Sequence, residues 1–208
     1  MRIAVLGATG RIGRVVVDRA LADGHEVVAL ARHPRGLRHE RLVEHPVDVF
    51  DPDTLSVLDG ADAVVFAVGK PGRSTTVVRS TGMANVVAAA DAYGIKRVVA
   101  VSPSAVEIGR GATLARKAAL KFFWHKLNRN PLLDVERMED ELHHSDLDWI
   151  VVRTTRLRDR VGGRYRVVQG TVRGPERPMA LADLAEYVVS HLDDGELHRA
   201  VVTLTGQR

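Results

Sequence analysis

Three glycines at positions 7, 10 and 13, set between a short apolar run and an amphipathic stretch, constrain this chain more than any other feature. Residues 2–6 read as a buried strand, and Ile12, Val15, Val16, Arg19 and Ala20 then recur at helical spacing until Gly24 ends the unit. A strand that enters a helix through glycines is a local cradle for an anion. Gly7 can take backbone angles closed to other residues, Gly10 lets the main chain approach a pyrophosphate, and Gly13 lets the helix pack close to the strand. Free N–H groups and the positive end of the helix dipole then face the charge, with Thr9, Arg11 and Ile12 completing the candidate turn. The spacing is G-x-x-G-x-x-G rather than the G-x-G-x-x-G of two-domain dehydrogenases, and the alternative is a tight βα turn that holds no ligand.

The rest of the chain repeats this alternation. Strands are expected over 2–6, 26–31, 43–48, 62–67, 96–101 and 148–153, with further strand material near 164–170 and 199–204. Helices are expected over 11–23, 52–58, 75–92, within 112–128, and over 132–144 and 181–192. In the helix over 75–92, Val77, Val78, Thr81, Ala84, Val87, Ala88 and Asp91 mark one face and a side. The pattern predicts an α/β chain: a doubly wound parallel sheet, Rossmann-like, with helices on both faces. A length of 208 residues suits one domain over 1–208 and leaves no room for a separate catalytic domain, so cofactor and substrate must share one fold. Past residue 154 the pattern loosens into Arg-, Gly- and Pro-rich segments. Residues of about 103–130 and 154–180 are therefore the expected wall of a substrate pocket outside the carboxyl ends of the strands.

Composition removes several classes of function. There is no cysteine, which excludes thiolate nucleophiles, disulfides and cysteine-ligated metals and fits a reducing, cytoplasmic setting. No apolar run approaches the roughly 18 residues of a membrane span, so no membrane association is expected. The net charge of +4 suits an anionic cofactor, and no nucleic-acid motif accompanies it. His143 and His144 point about a quarter turn apart on a helix and cannot chelate one ion, so no metal site is expected. Glu136, Glu139, Asp140 and Glu141 read as a solvated acidic face. Neither a Gly-x-Ser-x-Gly elbow nor a G-K-[ST] phosphate loop occurs.

The second strand bears on which dinucleotide fits. NAD-binding units usually place an Asp or Glu at its end, about 20 residues past the glycines, to hold the ribose hydroxyls. Here the chain runs Val27-Val28-Ala29-Leu30-Ala31-Arg32-His33, and Glu26 stands at the opposite end. Arg32 offers a planar, permanent charge where a 2′-phosphate would lie, and Arg11, Arg35 and Arg38 add to it. The expectation is NADP(H), favoured over NAD(H); the alternative for Arg32 is a solvated arginine at a strand end. Asp48-Val49 closes the third strand, where the Asp48 carboxylate accepts from an adenine amino group or caps the helix after Pro52. Ala67-Val68-Gly69 closes the fourth, and its small residues let the backbone pass a ribose closely.

Gly7-Ala8-Thr9-Gly10-Arg11-Ile12-Gly13, Leu30-Ala31-Arg32, Asp48-Val49, Asn85-Val86-Val87, Val98-Val99-Ala100-Val101-Ser102, Trp149-Ile150-Val151-Val152-Arg153 and Ala182-Asp183-Leu184-Ala185 together resemble an atypical short-chain dehydrogenase/reductase, over nearly the whole chain. The subgroup it is similar to holds NAD(P)H-binding proteins like NmrA and biliverdin-IXβ reductase, also called flavin reductase. That resemblance implies the fold; the scaffold hosts both enzymes and non-catalytic sensors.

Carbonyl reducers of this family pair a Ser or Thr after the fifth strand with a Tyr-x-x-x-Lys on the next long helix, the tyrosine acting as proton donor. Ser104 matches the serine and is the candidate catalytic residue, while Asn130-Pro131-Leu132-Leu133-Asp134-Val135-Glu136 occupies the helix with neither tyrosine nor lysine. The standard mechanism is thereby removed. Hydride transfer from NADPH to a flavin, quinone or tetrapyrrole needs orientation more than a dedicated acid, because the proton can come from solvent. On that reading Ser104 steadies the nicotinamide or the small-molecule acceptor. Ser102 and Thr154 complete the implied cofactor contacts, and Thr154, Thr155 and Arg156 line the pocket. The alternative for Ser102 and Ser104 is that their hydroxyls cap the backbone around Pro103. The competing function is a sensor of NADP(H) redox state that signals to a partner. An epimerase, or a reductase of a sugar or isoprenoid substrate, is a third.

Residues 113–129 are strongly basic with three adjacent aromatics, Phe122, Phe123 and Trp124. Leu114, Ala118, Phe122 and Leu127 form an apolar face that packs on the fold or lids the site. The alternatives are a homodimer or protein-partner contact, and a membrane or nucleic-acid surface.

Overall fold

The computed structural model describes residues 1–69, 77–104, 129–159, 162–169 and 176–207, and side chains within these except those of 129–132. Most of the segment 113–129 and the expected helix within 112–128 lie outside the described residues.

Strands β1 (Arg2–Leu6), β2 (Glu26–Ala31), β3 (Leu42–Pro46), β4 (Ala63–Phe66), β5 (Arg97–Pro103), β6 (Asp148–Thr154), β8 (Tyr165–Gln169) and β10 (Ala200–Gly206) form one sheet in the order β3-β2-β1-β4-β5-β6-β10-β8. Every pair is parallel except β10 with β8, which is antiparallel and pairs Tyr165 with Gly206. Two-residue strands β7 (Leu157–Arg158) and β9 (Met179–Ala180) pair separately. The described helices are α1 (Arg11–Ala22), α2 (Val78–Ala92), α3 (Arg129–His143) and α4 (Leu181–Ser190), with a 3₁₀ turn over Pro52–Leu58. None of them is long and apolar enough to cross a membrane.

Period-two alternation in strands that are apolar on both faces builds two cores. Ala4, Leu6, Val28, Leu30, Val64, Phe66, Val98 and Ala100 point into a layer with Met83, Val86, Met138 and Leu142, under α2, α3 and the 3₁₀ turn. Ile3, Val5, Val27, Ala29, Ala63, Val65 and Val99 point the other way, onto Val16, Val17 and Ala20 of α1 and Leu184 and Val188 of α4.

Helix α2 departs from its expected face. Val78, Ser80, Gly82, Met83, Val86 and Ala90 are buried, whereas Val77, Ala88 and Asp91 are exposed. The reason is tertiary: α2 packs against α3 as well as against the 3₁₀ turn, so one stripe cannot describe its burial. At Gly82 an added Cβ would lie 2.9 Å from Val49 and 3.4 Å from the Phe66 ring, so only glycine lets the helix sit this close.

The strand order reverses between β1 and β4, with β2 and β3 on one side and β5 and β6 on the other. Parallel α/β sheets open a crevice at the carboxyl ends at such a point.

Candidate active site

The turn after β1 stands at this crevice. Gly7 has a φ of +81°, and an added Cβ would lie 2.6 Å from the Ala67 carbonyl oxygen. Its N–H and that of Ala8 both donate to the Leu30 carbonyl, at 2.9 and 3.1 Å, so the turn is wedged between the ends of β2 and β4. Gly10 is the N-cap of α1, extended and without a side-chain capping bond, and its N–H donates to the Gly7 carbonyl at 2.9 Å. A Cβ on Gly13 would collide with that same carbonyl. Gly13 therefore serves helix-to-turn packing. With no acidic residue in the first turn of α1, its opening N–H groups keep their positive end free of side-chain carboxylates.

Above the turn lies a cavity of about 350 Å³, walled by the carboxyl ends of four strands. Gly7, Thr9, Gly10 and Arg11 come from the turn, Ala31 from the end of β2 and Arg32 from just past it, Asp48, Val49 and Phe50 from the loop after β3, and Val68 and Gly69 from the loop after β4. Arg32 is exposed and makes no ion pair with a described residue. Arg35 and Arg38 are absent from the cavity wall. Asp48 accepts from the Phe50 N–H at 3.0 Å, while the 3₁₀ turn is capped by Asp51, which accepts from the Asp53 N–H at 3.2 Å. Asn85 of α2 donates to the Val49 carbonyl at 2.8 Å and pins that loop.

A second cavity, of about 280 Å³, adjoins the first and shares Arg11, Val68 and Gly69 with it. Ile12, Ala67, Arg79, Val101, Ser102, Pro103, Thr154, Thr155 and Leu157 complete its described wall. Ser102 donates to Glu139 at 2.6 Å, and Glu139 receives Arg153 through Nε at 3.1 Å and a terminal nitrogen at 2.6 Å. This corrects the reading of Glu139 as surface: it is 3% exposed, whereas Glu136, Asp140 and Glu141 are exposed. The signal was present in its spacing, since Glu139 lies four residues after Val135 and three before Leu142, both in the core.

Ser104 is buried, donates to Glu176 at 3.0 Å and lies outside both described cavity walls. The Thr154 hydroxyl is held by the Thr155 carbonyl and the Met179 sulfur, and the Thr155 hydroxyl donates to the Arg177 carbonyl at 2.7 Å. Arg156 is exposed and away from both walls. Arg11 bridges to Asp159 at 3.1 Å and to the Leu157 carbonyl, tying the start of α1 to β7. Tyr165 and Tyr187 sit in the opposite layer, both pKa values raised by burial, and Tyr93 caps the end of α2. No tyrosine lines either cavity among the described residues.

One further residue escaped the sequence reading. Asp134 of α3, 2% exposed, accepts from the Arg79 and Ser80 backbone N–H groups at 3.2 and 2.9 Å and from the Ser80 hydroxyl at 2.9 Å. It supplies the cap that Val77 cannot give α2.

A family model described as NAD(P)H-binding matches residues 7–195. An uncharacterized protein of Mycobacterium tuberculosis is 29% identical over 197 residues, 94% of this chain. The chain spans only 19% of that relative's length. Among solved structures, a short-chain dehydrogenase/reductase of Veillonella parvula in complex with NADP superposes with a TM-score of 0.80 at 18% identity, over 99% of this chain and 94% of that one. A Streptococcus pneumoniae protein described as a candidate NADH-flavin reductase superposes with a TM-score of 0.78 at 20% identity, over the whole of both chains. At these identities the likeness to solved structures is one of fold.

Proposed function

The chain belongs to the NAD(P)H-binding family matched over residues 7–195, and from that premise we propose that it is a reductase that prefers NADPH to NADH and passes hydride to a planar conjugated acceptor of flavin, quinone or tetrapyrrole type. The observation that carries this reading is the pair of adjoining cavities: one over the glycine turn, and a second, with Ile12, Val101, Pro103 and Leu157 on its wall, that meets it at Arg11, Val68 and Gly69. The likeness in fold to the pneumococcal candidate flavin reductase supports it.

The residues present fit the cofactor. A side chain at Gly7 would strike the Ala67 carbonyl and displace the turn, and the first turn of α1 carries no acidic side chain and no side-chain cap that would compete for an anion. The N–H groups of the turn, with Thr9, Gly10, Arg11 and Ile12, would hold the pyrophosphate, and Arg32 a 2′-phosphate. Asp48 keeps one carboxylate oxygen for an adenine amino group after serving Phe50. Val49, Ala67, Val68 and Gly69 would border the sugars, and Ser102 and Thr154 the nicotinamide end. When bound, the reduced nicotinamide supplies the hydride. The protein's part is to orient it beside the second cavity, with the proton drawn from solvent.

The test is NADPH oxidation with FMN, a quinone and a bile-pigment tetrapyrrole, under NADPH saturation established separately by fluorescence titration. Turnover with at least one acceptor is expected; none with any would overturn the reading. One observation favours a second reading, a non-catalytic sensor of NADP(H). The Ser102 proton is committed to Glu139, so that hydroxyl is not a free acid toward the cavity. A protein partner that distinguishes NADP⁺- from NADPH-loaded protein, without turnover, would select it.

A further inference from the structure

Two guanidinium groups, Arg11 and Arg79, and no carboxylate stand on the described wall of the second cavity. Arg11 is already tied to Asp159 and the Leu157 carbonyl. Arg79 is different. Its side chain is only 18% exposed, and burial lowers its pKa. Its counter-charge is Asp134, yet that carboxylate is taken up by two backbone N–H groups and the Ser80 hydroxyl at the start of α2. The remaining approach, Arg79 to Asp134 Oδ2 at 3.9 Å, is too long for a hydrogen bond. The same contacts fix the backbone from which the Arg79 side chain springs. A largely desolvated cation whose guanidinium donates no hydrogen bond to a described residue, beside Ile12, Val101, Pro103 and Leu157, suits a flat ring carrying an anionic group.

We propose that Arg79 makes the second cavity an anion-reading subsite, which binds a carboxylate or phosphate on the conjugated acceptor and selects acidic acceptors over neutral ones. The proposal rests on the reading of this cavity as the acceptor's place. It assigns specificity to a residue outside the glycine turn and outside the serine loop, and it separates the acceptor's charge from that of the cofactor phosphates.

The experiment compares acceptor pairs that share a ring system and differ in the anion: FMN against riboflavin, and a bile-pigment diacid against its dimethyl ester. Binding to NADP⁺-saturated protein is read by calorimetry, independently of turnover. The charged member of at least one pair is expected to bind roughly 10- to 100-fold more tightly, the scale of charge-assisted hydrogen bonds. Arg79→Ala is expected to remove that ratio by weakening the charged member alone, and Arg79→Lys to restore part of it, with NADP⁺ affinity unchanged in both. Equal binding within both pairs, binding of none of the four, or a ratio that survives Arg79→Ala would overturn the proposal. So would a loss of NADP⁺ affinity as large as the loss of acceptor affinity, which would give Arg79 to the cofactor. Selective binding without turnover would leave the subsite standing and remove the reductase reading; turnover without charge selectivity would do the reverse.

Discussion

Arg153 on β6 grips Glu139 on α3 with two nitrogens, at 3.1 and 2.6 Å, where both side chains are almost wholly excluded from water. Glu139 in turn accepts from Ser102 on β5, so one carboxylate joins two adjacent strands and the helix above them. Removing a partner from a buried pair costs far more than the pair itself contributes, because the remaining charge loses its compensation. Glu139→Ala is expected to destabilise the fold by about 3–5 kcal/mol. Glu139→Gln, which keeps an acceptor oxygen, is expected to cost less. Urea denaturation midpoints check both, and a loss below about 1 kcal/mol for the alanine variant would show the network to be energetically idle.

Gly13 lies inside α1, where alanine is ordinarily better than glycine by about 1 kcal/mol. Here the sign reverses, because a Cβ would strike the Gly7 carbonyl oxygen. Gly13→Ala is expected to destabilise by about 1–3 kcal/mol, as overpacking does, and to weaken nicotinamide cofactor binding by displacing the turn. Thermal melts with and without NADPH read the two effects separately.

Just past β2, Arg32 stands on the wall of the cavity over the glycine turn and makes no ion pair with a described residue. Arg32→Ala is expected to weaken NADPH binding by about 1–3 kcal/mol while hardly changing NADH binding. Equal losses for both cofactors in a titration would make Arg32 a structural residue.

Burial, with a smaller contribution from Asp194, pushes the Tyr187 hydroxyl up to about 12. The unfolded chain ionises this group near pH 10, so between the two values the folded state holds a proton that the unfolded state has released. Stability from Tyr187 is complete below about pH 10 and is lost as the pH rises toward 12. Tyr165, raised further by burial and by its bond to Glu186, acts in the same direction at still higher pH. Denaturant midpoints should fall across this window, and Tyr187→Phe should flatten part of the decline.

Most of the sheet was legible from the chain alone. The expected strands 2–6 and 26–31 coincide with β1 and β2, and the short helix after Pro52 spans the expected 52–58, as 3₁₀. Strands buried on both faces announce themselves as unbroken apolar runs, and such runs survive any uncertainty about what packs on them. The glycine turn was legible for the same reason, since its backbone angles and close contacts admit one residue type. The later chain was harder. β7 and β9 are two residues each, and β8 is an edge strand with mostly exposed residues, so its pairing with β10 left only a faint periodic trace.

Everything that repeats along the chain is therefore written in the order of its residues: the alternation of strand and helix, the two apolar faces of each central strand, and the turn at Gly7, Gly10 and Gly13. Which polar residues meet is set by the packing of elements distant in the chain. Glu139 reads as part of an acidic run until β5 and β6 bring Ser102 and Arg153 to it, and Asp134 reads as another acid until α3 lays it across the start of α2. Periodicity records the distance of a residue from its own neighbours in the chain. A buried charge is stabilised by groups tens of residues away, and their arrival depends on how whole elements pack.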